Sequence, residues 1–408
     1  VGPKKILIWF LRLSSSRPGS RSAKTYHYGM STIQQISIYL LLLLGSVQLA
    51  ASPMSDLART GTHYRLLGDF ENAATVERKL IAEANSPIGH VFAINTIITH
   101  LTWDETETTY DEALLHHAGK VLNWCEAELA GDRNYATAYH YCGQASFALS
   151  YHYGLKGQYF KAGQLGTRTI EYLESALATD PTLTDAKMHL GVAYYAADNL
   201  PPFIRMFSRF LWFVPSGNSE KSLPYLLEVV EHGDQYPDVA RYIYSTLLME
   251  DEARRPSARE QLQTLVDRYP GNARFQLRLI SLLLTEGEFN KTLQIARSYL
   301  DNDPIEPELS LARIWMARAY LGLGNHELAD RMFQKIDPLF GKSDQDLPGW
   351  SIAWHMLTDG QLQDLRGRRR LAREPYAGIL ALAKSTYVNQ VILDAARAGL
   401  LKPYRLAP

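Results

Sequence analysis

Histidine and cysteine are the residues of this sequence whose side chains could bind a metal ion. Six of the twelve histidines lie between positions 90 and 152, and both cysteines of the chain fall in the same stretch. Imidazole and thiolate groups are common zinc ligands. The spacing makes no local ligand set, because His140 and His152 would point about 120° apart on one helix. We therefore predict no metal ligands and interpret these histidines as surface and packing residues. The six positions are His90, His100, His116, His117, His140 and His152.

The sequence contains none of the motifs that mark common catalytic sites. It lacks His-Glu-x-x-His, Gly-x-Ser-x-Gly, Gly-x-x-x-x-Gly-Lys and Gly-x-Gly-x-x-Gly, which serve zinc proteases, serine hydrolases and nucleotide-binding proteins. We predict a protein that is not an enzyme, with no catalytic residues and no cofactor.

The two cysteines have a second interpretation. Cys125 and Cys142 lie almost equally far from the polar turn at 130–134, so an antiparallel helix hairpin folded there would bring them to the same level. In an oxidising compartment they could form a disulfide, provided that their Cα atoms come within about 7 Å. The alternative is a pair of buried free thiols.

Four glycines at positions 154, 157, 163 and 166 stand among basic residues. Such a stretch predicts a flexible loop, with the next helix starting near Thr167. A backbone site for an anion ahead of that helix is the alternative interpretation.

The amino-terminal part of the sequence has the charge pattern of a targeting segment. No acidic residue precedes Asp56, whereas six Lys or Arg residues occur in positions 1–29. Residues 36–51 are apolar and end in small side chains, and this run is shorter than the roughly 20 residues that a membrane span needs. We predict a signal peptide at 30–52, cleaved near Ala51.

Other interpretations of this part remain open. An uncleaved signal anchor would tether the protein to a membrane through residues 36–51, and an organellar transit peptide would also be basic and free of acid. Residues 1–29 are either a basic leader or an untranslated extension upstream of Met30. The remainder of the chain is net acidic, which disfavours nucleic acid as a partner because nucleic-acid affinity depends on basic surfaces.

The body of the sequence repeats itself with a period near 34 residues. No alternating β pattern interrupts it. The clearest unit, 54–87, places small and aromatic residues at regular spacings: Leu57, Gly61, Tyr64, Gly68, Phe70, Ala73 and Leu80. The same frame returns at 273–306, 310–340 and 353–382, for example with Gly287 and Thr292, Gly324 and Ala329, and Gly367 and Ala372.

These spacings resemble the tetratricopeptide repeat, a unit of two antiparallel helices. The resemblance covers most of 54–382 and implies an all-α, right-handed solenoid of roughly seven or eight stacked helix hairpins within residues 54–400. It implies a scaffold that binds a protein or peptide in a concave groove, and it implies no chemistry. Together with the signal segment, it predicts an exported, periplasmic or envelope-facing scaffold.

Tyrosines concentrate between positions 135 and 160, in a chain with 24 tyrosines in total. Tyrosine offers a large contact area and a hydroxyl group at modest entropic cost. We predict Tyr139, Tyr141, Tyr151 and Tyr153 as partner-binding residues; the alternative is that they fill gaps between helices.

A second hypothesis concerns a lipid or another small hydrophobic ligand held between repeats of a membrane-anchored protein. It depends on the almost wholly apolar stretch at 203–214, which carries Arg205 and Arg209 four residues apart. Such a segment is typical of helices at a membrane interface, or of an unusually apolar helix between its neighbours.

The mass of the intact protein from its native cells tests the export prediction. We expect a chain that begins near Ala51 or Ser52, because the apolar run is short and is followed by small residues. A mass that retains residues 36–51 would contradict cleavage and would indicate a membrane tether.

Overall fold

The computed structural model describes residues 53–105, 107–130, 135–199, 218–338, 340, 347–384 and 388–406. Within these residues the regular elements are 17 α-helices and one short 3-10 helix at Glu252–Arg254, so the predicted all-α class is confirmed. None of these helices is both long enough and apolar enough to cross a bilayer. The leader at 1–29, the signal segment at 30–52 and the apolar stretch at 203–214 lie outside the described residues.

The helices follow one another along the chain with short connections. The first nine are α1 (Pro53–Leu67), α2 (Phe70–Glu83), α3 (Ile88–Trp103), α4 (Asp111–Leu129), α5 (Ala136–Leu155), α6 (Tyr159–Thr179), α7 (Ala186–Asp198), α8 (Ser219–His232) and α9 (Pro237–Leu248). The other eight are α10 (Arg255–Arg268), α11 (Ala273–Thr285), α12 (Phe289–Leu300), α13 (Glu308–Gly322), α14 (His326–Phe333), α15 (Gly349–Leu365), α16 (Arg369–Leu382) and α17 (Gln390–Leu401).

Five helix pairs are joined by the same turn. In each, a glycine with φ between 72° and 82° follows the first helix, and the next N–H donates to the carbonyl five residues earlier at 2.8–2.9 Å. This is the Schellman arrangement, in which a left-handed residue ends a helix, and glycine adopts that conformation without steric cost. The glycines are Gly68, Gly157, Gly287, Gly324 and Gly367.

Small residues let the two helices of these pairs approach each other. The residue five positions after the turn glycine is almost fully buried in four of the pairs: Ala73, Thr292, Ala329 and Ala372. On α1, a Cβ atom added to Gly61 would lie 2.7 Å from side chains of both Val76 and Phe92. The regular spacing in the sequence therefore reflects the sites where neighbouring helices touch.

The glycine-rich stretch that predicts a flexible loop is helical, so that prediction is wrong. Helix α5 continues to Leu155 and α6 begins at Tyr159, which places Gly163 and Gly166 inside α6. Only Gly157 has a positive φ, of 73°, and it occupies the same turn position as in the other pairs. Extensive packing between α5 and α6 offsets the roughly 1 kcal/mol that each glycine costs within a helix.

A disulfide joins α4 to α5 in the structure. Cys125 and Cys142 are both buried, and their Cα atoms lie 6.0 Å apart. The two helices are antiparallel neighbours, as the position of the turn at 130–134 suggests, although residues 131–134 themselves are not described.

Each helix packs against the next one along the chain, and odd-numbered helices also pack against one another. The extensive next-but-one contacts in the described part of the chain are α1 with α3, α3 with α5, α5 with α7, α11 with α13, α13 with α15 and α15 with α17. The odd-numbered helices from α1 to α7 therefore share one layer, and those from α11 to α17 share another.

Odd-numbered helices distant in sequence also touch. Arg59 of α1 forms an ion pair of 2.7 Å with Asp234, just ahead of α9. Asn272, the N-cap residue of α11, donates to the Leu66 carbonyl of α1 at 2.8 Å. These contacts bring the first helices of the chain against helices more than 170 residues later.

A glycine substitution tests the close approach of α15, α16 and α17. The buried Tyr376 ring lies between Gly360 and Gly399, and a Cβ atom on either would be 2.6 Å from it. We expect Gly360→Ala to destabilise the protein by about 1–3 kcal/mol, because the ring cannot leave one glycine without meeting the other. The measurement is the free energy of unfolding in urea.

Gly119 is the matched control for this substitution. It lies within α4, and an added Cβ atom would meet nothing within 4 Å. We expect Gly119→Ala to stabilise the protein by about 0.5–1 kcal/mol, because alanine favours the helix. Equal effects of the two substitutions would contradict the packing argument.

Candidate functional site

Arginine and tryptophan side chains meet where α3, α11, α13 and α15 come together. The Arg274 guanidinium lies 5.1 Å from the centre of the Trp103 ring, and that ring meets Trp350 edge-to-face at 5.3 Å. One turn further along α15, Trp354 has the Arg318 guanidinium 4.1 Å from its ring centre. We call these five residues the arginine–tryptophan cluster.

Helix periodicity places the members of the cluster. Trp350 and Trp354 are four residues apart on α15 and therefore lie on one face of that helix. On α13, Trp315 is 3% exposed and packs edge-to-face on Trp354 at 5.3 Å, while Arg318, three residues later, reaches the same ring. The tryptophans thus orient the arginines.

The carboxyl end of α3 holds the cluster together. Trp350 Nε1 donates to the carbonyl of Trp103 at 3.2 Å, and Arg274 donates to the carbonyl of Thr99. The last four carbonyls of a helix, here including that of Trp103, have no partner within the helix, and cations are favourable at this end. Arg274 and Trp350, which lie 175 and 247 positions further along the chain than their acceptors, therefore both bond carbonyls near the end of α3.

The arginines in this region stack on aromatic rings and lack carboxylate partners. Arg278, one turn after Arg274, lies 5.8 Å from the ring centre of Tyr242. Arg65 of α1 lies 5.1 Å from the ring of Phe92. Within the described residues no ion pair involves Arg65, Arg274, Arg278 or Arg318.

Burial lowers the pKa of Arg65, Arg274 and Arg318 to about 10. All three guanidinium groups nevertheless stay charged at neutral pH. An uncompensated buried charge is unfavourable, so these sites favour any group that brings negative charge to them.

Arg65 and Arg274 approach the same face of α3 from opposite ends of the sequence. Arg65 lies 3.4 Å from Thr96 Oγ1, and Arg274 bonds the Thr99 carbonyl one turn later. His100, beside them, is kept neutral at pH 7 because burial, followed by the charges of Arg274 and Arg65, lowers its pKa to about 4. Two positive charges therefore converge there.

Neither Glu105 nor Glu308 forms an ion pair with these arginines in the described part of the chain. Burial raises the pKa of Glu105 to about 8, so this carboxyl is mostly protonated at neutral pH. Glu308 interacts with Arg274 through space but forms no ion pair with it, and burial raises its pKa too. The five side chains of the cluster themselves carry two positive charges and no negative charge, within a net acidic chain.

This arrangement is suited to binding an anionic or aromatic group. Guanidinium groups recognise carboxylate and phosphate with two parallel hydrogen bonds, and tryptophan and arginine are over-represented where partner proteins bind most strongly. Trp103, Trp350, Trp354, Arg274 and Arg318 all retain some exposed surface.

The structure spreads the four predicted tyrosines around α5. Tyr151 is buried and faces the charges of Glu105 and Arg274. The other three contact different neighbours: Tyr139 packs 6.4 Å from Tyr172, Tyr141 lies 6.2 Å from Trp124 and hydrogen-bonds Ser86, and Tyr153 stacks under Lys161. Tyr151 alone of the four lies toward the arginine–tryptophan cluster.

The predicted histidine region contains a pair at hydrogen-bond distance. Nδ1 of His90 lies 2.9 Å from Nδ1 of His117, and the His116 ring packs beside them. Burial lowers the pKa of His117 to about 4. No group of three or more potential metal ligands comes together in the described residues.

A buried polar network lies between α3, α5, α7 and α9. The amide of Gln144 accepts hydrogen bonds from Asn95 Nδ2 at 2.9 Å and from the Tyr236 hydroxyl at 3.3 Å, and its Nε2 lies 3.2 Å from Nε2 of His140. The His189 ring packs 6.1 Å from that of His140. Each of these two histidines is 5% exposed.

The sequence was compared with models of protein families and with curated proteins, and neither comparison gives a match.

Sequence reasoning missed the arginine–tryptophan cluster. Two signals were present: Trp350 and Trp354 are four residues apart, as are Arg274 and Arg278. Neither signal shows that Trp103 and Trp350 touch, because 247 residues separate them.

Acid titration tests the buried histidines. Burial lowers the pKa of His140 to about 4 and that of His189 to about 3, whereas both titrate near 6.5 in the unfolded chain. The unfolded state therefore binds more protons below pH 6.5, and stability is lost as pH falls from 6.5 toward 4. Each such histidine contributes a slope of up to about 1.4 kcal/mol per pH unit.

The variant His189→Phe isolates one of these contributions. His189 Nδ1 has no hydrogen-bond partner among the described residues, and the ring packs on Phe147 and Tyr236. We expect urea unfolding of this variant to depend less steeply on pH between 4 and 6.5. The control His232→Gln replaces an exposed histidine instead. A slope that is as steep in His189→Phe as in the wild type and the control would contradict the assignment.

Proposed function

We propose that this chain is a tetratricopeptide-like α-solenoid that acts as a non-catalytic scaffold in an exported or envelope-facing setting. It binds a protein or peptide partner on the layer of odd-numbered helices. The arginine–tryptophan cluster holds an acidic group of that partner.

Two features support the solenoid. The same glycine turn joins five helix pairs, and extensive next-but-one contacts join odd-numbered helices to each other. Stacked hairpins produce this pattern, because each pair buries its apolar face against the pair before it and the pair after it.

The unpaired arginines carry the proposal of an acidic partner. Four guanidinium groups stack on aromatic rings without forming an ion pair in the described part of the chain, and Glu105 is largely uncharged at neutral pH. A partner that supplies carboxylates would remove the cost of these uncompensated charges. The aromatic rings would add contact area around each ion pair.

Export is supported by the amino-terminal sequence and by the disulfide. Residues 30–52 have the pattern of a signal peptide. A disulfide between buried cysteines is typical of proteins in oxidising compartments.

Binding of a labelled peptide tests the proposed function. The probe contains several Asp or Glu residues and one Phe, and its counterpart has Asn and Gln in place of the acidic residues. We expect the acidic peptide to bind at least about tenfold more tightly, and its affinity to fall as salt screens the charges.

Two double variants locate the site. Arg278→Gln with Arg318→Gln should weaken binding of the acidic peptide by about tenfold or more, a loss typical of residues at the centre of an interface. The control replaces the exposed Arg370 and Arg373 of α16 with Gln and should bind as the wild type does. Equal affinity for the two peptides, or equal binding by both double variants, would contradict the proposal.

A further inference from the structure

After α17 the chain leaves the helical conformation and contacts α15 at Asp364. Helix α17 ends at Leu401, and Lys402 has φ −133° and ψ 144°, which are values of extended backbone. Arg369 fixes the start of this segment by donating to the carbonyl of Leu400 at 2.9 Å. We call residues 402–406 the tail.

One backbone group of the tail is bound by a buried carboxylate. The N–H of Tyr404 donates to Oδ2 of Asp364 at 2.8 Å. The Asp364 carboxylate is fully buried, pairs with Arg369 at 3.0 Å and accepts from the Tyr376 hydroxyl at 3.1 Å. The acceptor for the tail is thus held in place by residues outside the tail.

From Tyr404 to Leu406 the side chains of the tail alternate between the protein and solvent. Tyr404 and Leu406 are half-buried, whereas Lys402 and Arg405 are exposed. Leu406 packs against the same buried cluster as Trp354.

Tyr404 lies within electrostatic range of Arg318. Arg318 and Trp354 belong to the arginine–tryptophan cluster, so Tyr404 and Leu406 place the tail next to that cluster.

These contacts are those of a bound peptide. A main-chain hydrogen bond and pockets for alternate side chains are how proteins recognise extended segments. The tail contributes one backbone donor, one aromatic side chain and one aliphatic side chain two positions later.

We propose that residues 402–406 occupy a peptide-binding site of this chain, for which an extended partner segment with the pattern aromatic–x–aliphatic competes. The proposal rests on the proposed scaffold function and names a second element of the partner beside its acidic group. Because the tail is part of the same chain, its local concentration is of millimolar order. The attached tail therefore weakens binding of any partner segment until that segment displaces it.

The test uses the full chain and a labelled peptide with the sequence of residues 402–406, acetylated and amidated at its ends. Tyr404→Ser with Leu406→Ser removes both anchoring side chains and frees the site. We expect this variant to bind the peptide at least about tenfold more tightly than the wild type, because the competing tail is released. The matched control, Lys402→Ser with Arg405→Ser, changes only exposed positions and should bind as the wild type does.

Two further measurements fix the site. A peptide with Ser in place of its Tyr and Leu should not bind the released variant. Adding Arg318→Gln to the released variant should weaken its binding of the unchanged peptide by about threefold or more, because the charge of Arg318 acts on the tyrosine in that site.

The outcomes separate this proposal from the proposed function. A folded release variant that binds the peptide no better than the wild type overturns the proposal, and normal binding of the acidic peptide would then leave the scaffold function intact. If the double variant fails to fold, Leu406→Ser alone is measured, with a smaller gain expected. Failure of both variants to fold also overturns the proposal, because the tail would then be part of the core.

Discussion

The last turn of α3 is the point on which the arrangement of the distant helices depends. Trp350 on α15 donates to the Trp103 carbonyl, which has no partner within the helix, and Arg274 on α11 donates to the Thr99 carbonyl one turn earlier. A hydrogen bond adds about 0.5–1.5 kcal/mol to stability, and more when the donor is charged, so these bonds favour the arrangement in which these odd-numbered helices meet. Trp103, at the end of α3, is thereby placed against both residues.

The same contact explains why positive charge accumulates in a net acidic protein. The guanidinium of Arg274 serves the helix end and the Trp103 ring at once, and Arg318 stacks on Trp354. Stacking stabilises a guanidinium without neutralising it. The result is a pair of cations beside half-buried aromatic rings, and both residue types are enriched at protein interfaces.

Two kinds of contact determine the geometry within a helix pair and the packing between pairs. The turn glycine and the small residue five positions later fix how the two helices of a pair meet. Contacts between odd-numbered helices then decide which pairs face each other across the molecule. The tail is also held by a long-range contact: the N–H of Tyr404 donates to the Asp364 carboxylate, which Arg369 already holds in place.

The sequence by itself determined the features that depend on short spacing. Gly68 and Ala73, with their counterparts in later repeats, indicated the helix pairs, because a left-handed turn and a close helix contact each restrict residue type locally. The four glycines between 154 and 166 gave the wrong prediction of a loop, because the sequence does not show which of them occupies the turn. Only packing distinguishes Gly157 from Gly163 and Gly166.

Only the tertiary structure decided the candidate site. The tyrosines of α5 are close in sequence, but a helix turns successive residues through 100° and sends Tyr139, Tyr141 and Tyr153 to different neighbours. Trp103, Arg274 and Trp350 are far apart in sequence and meet in space. Whether side chains so distant converge depends on how the helix pairs stack, which no local spacing records.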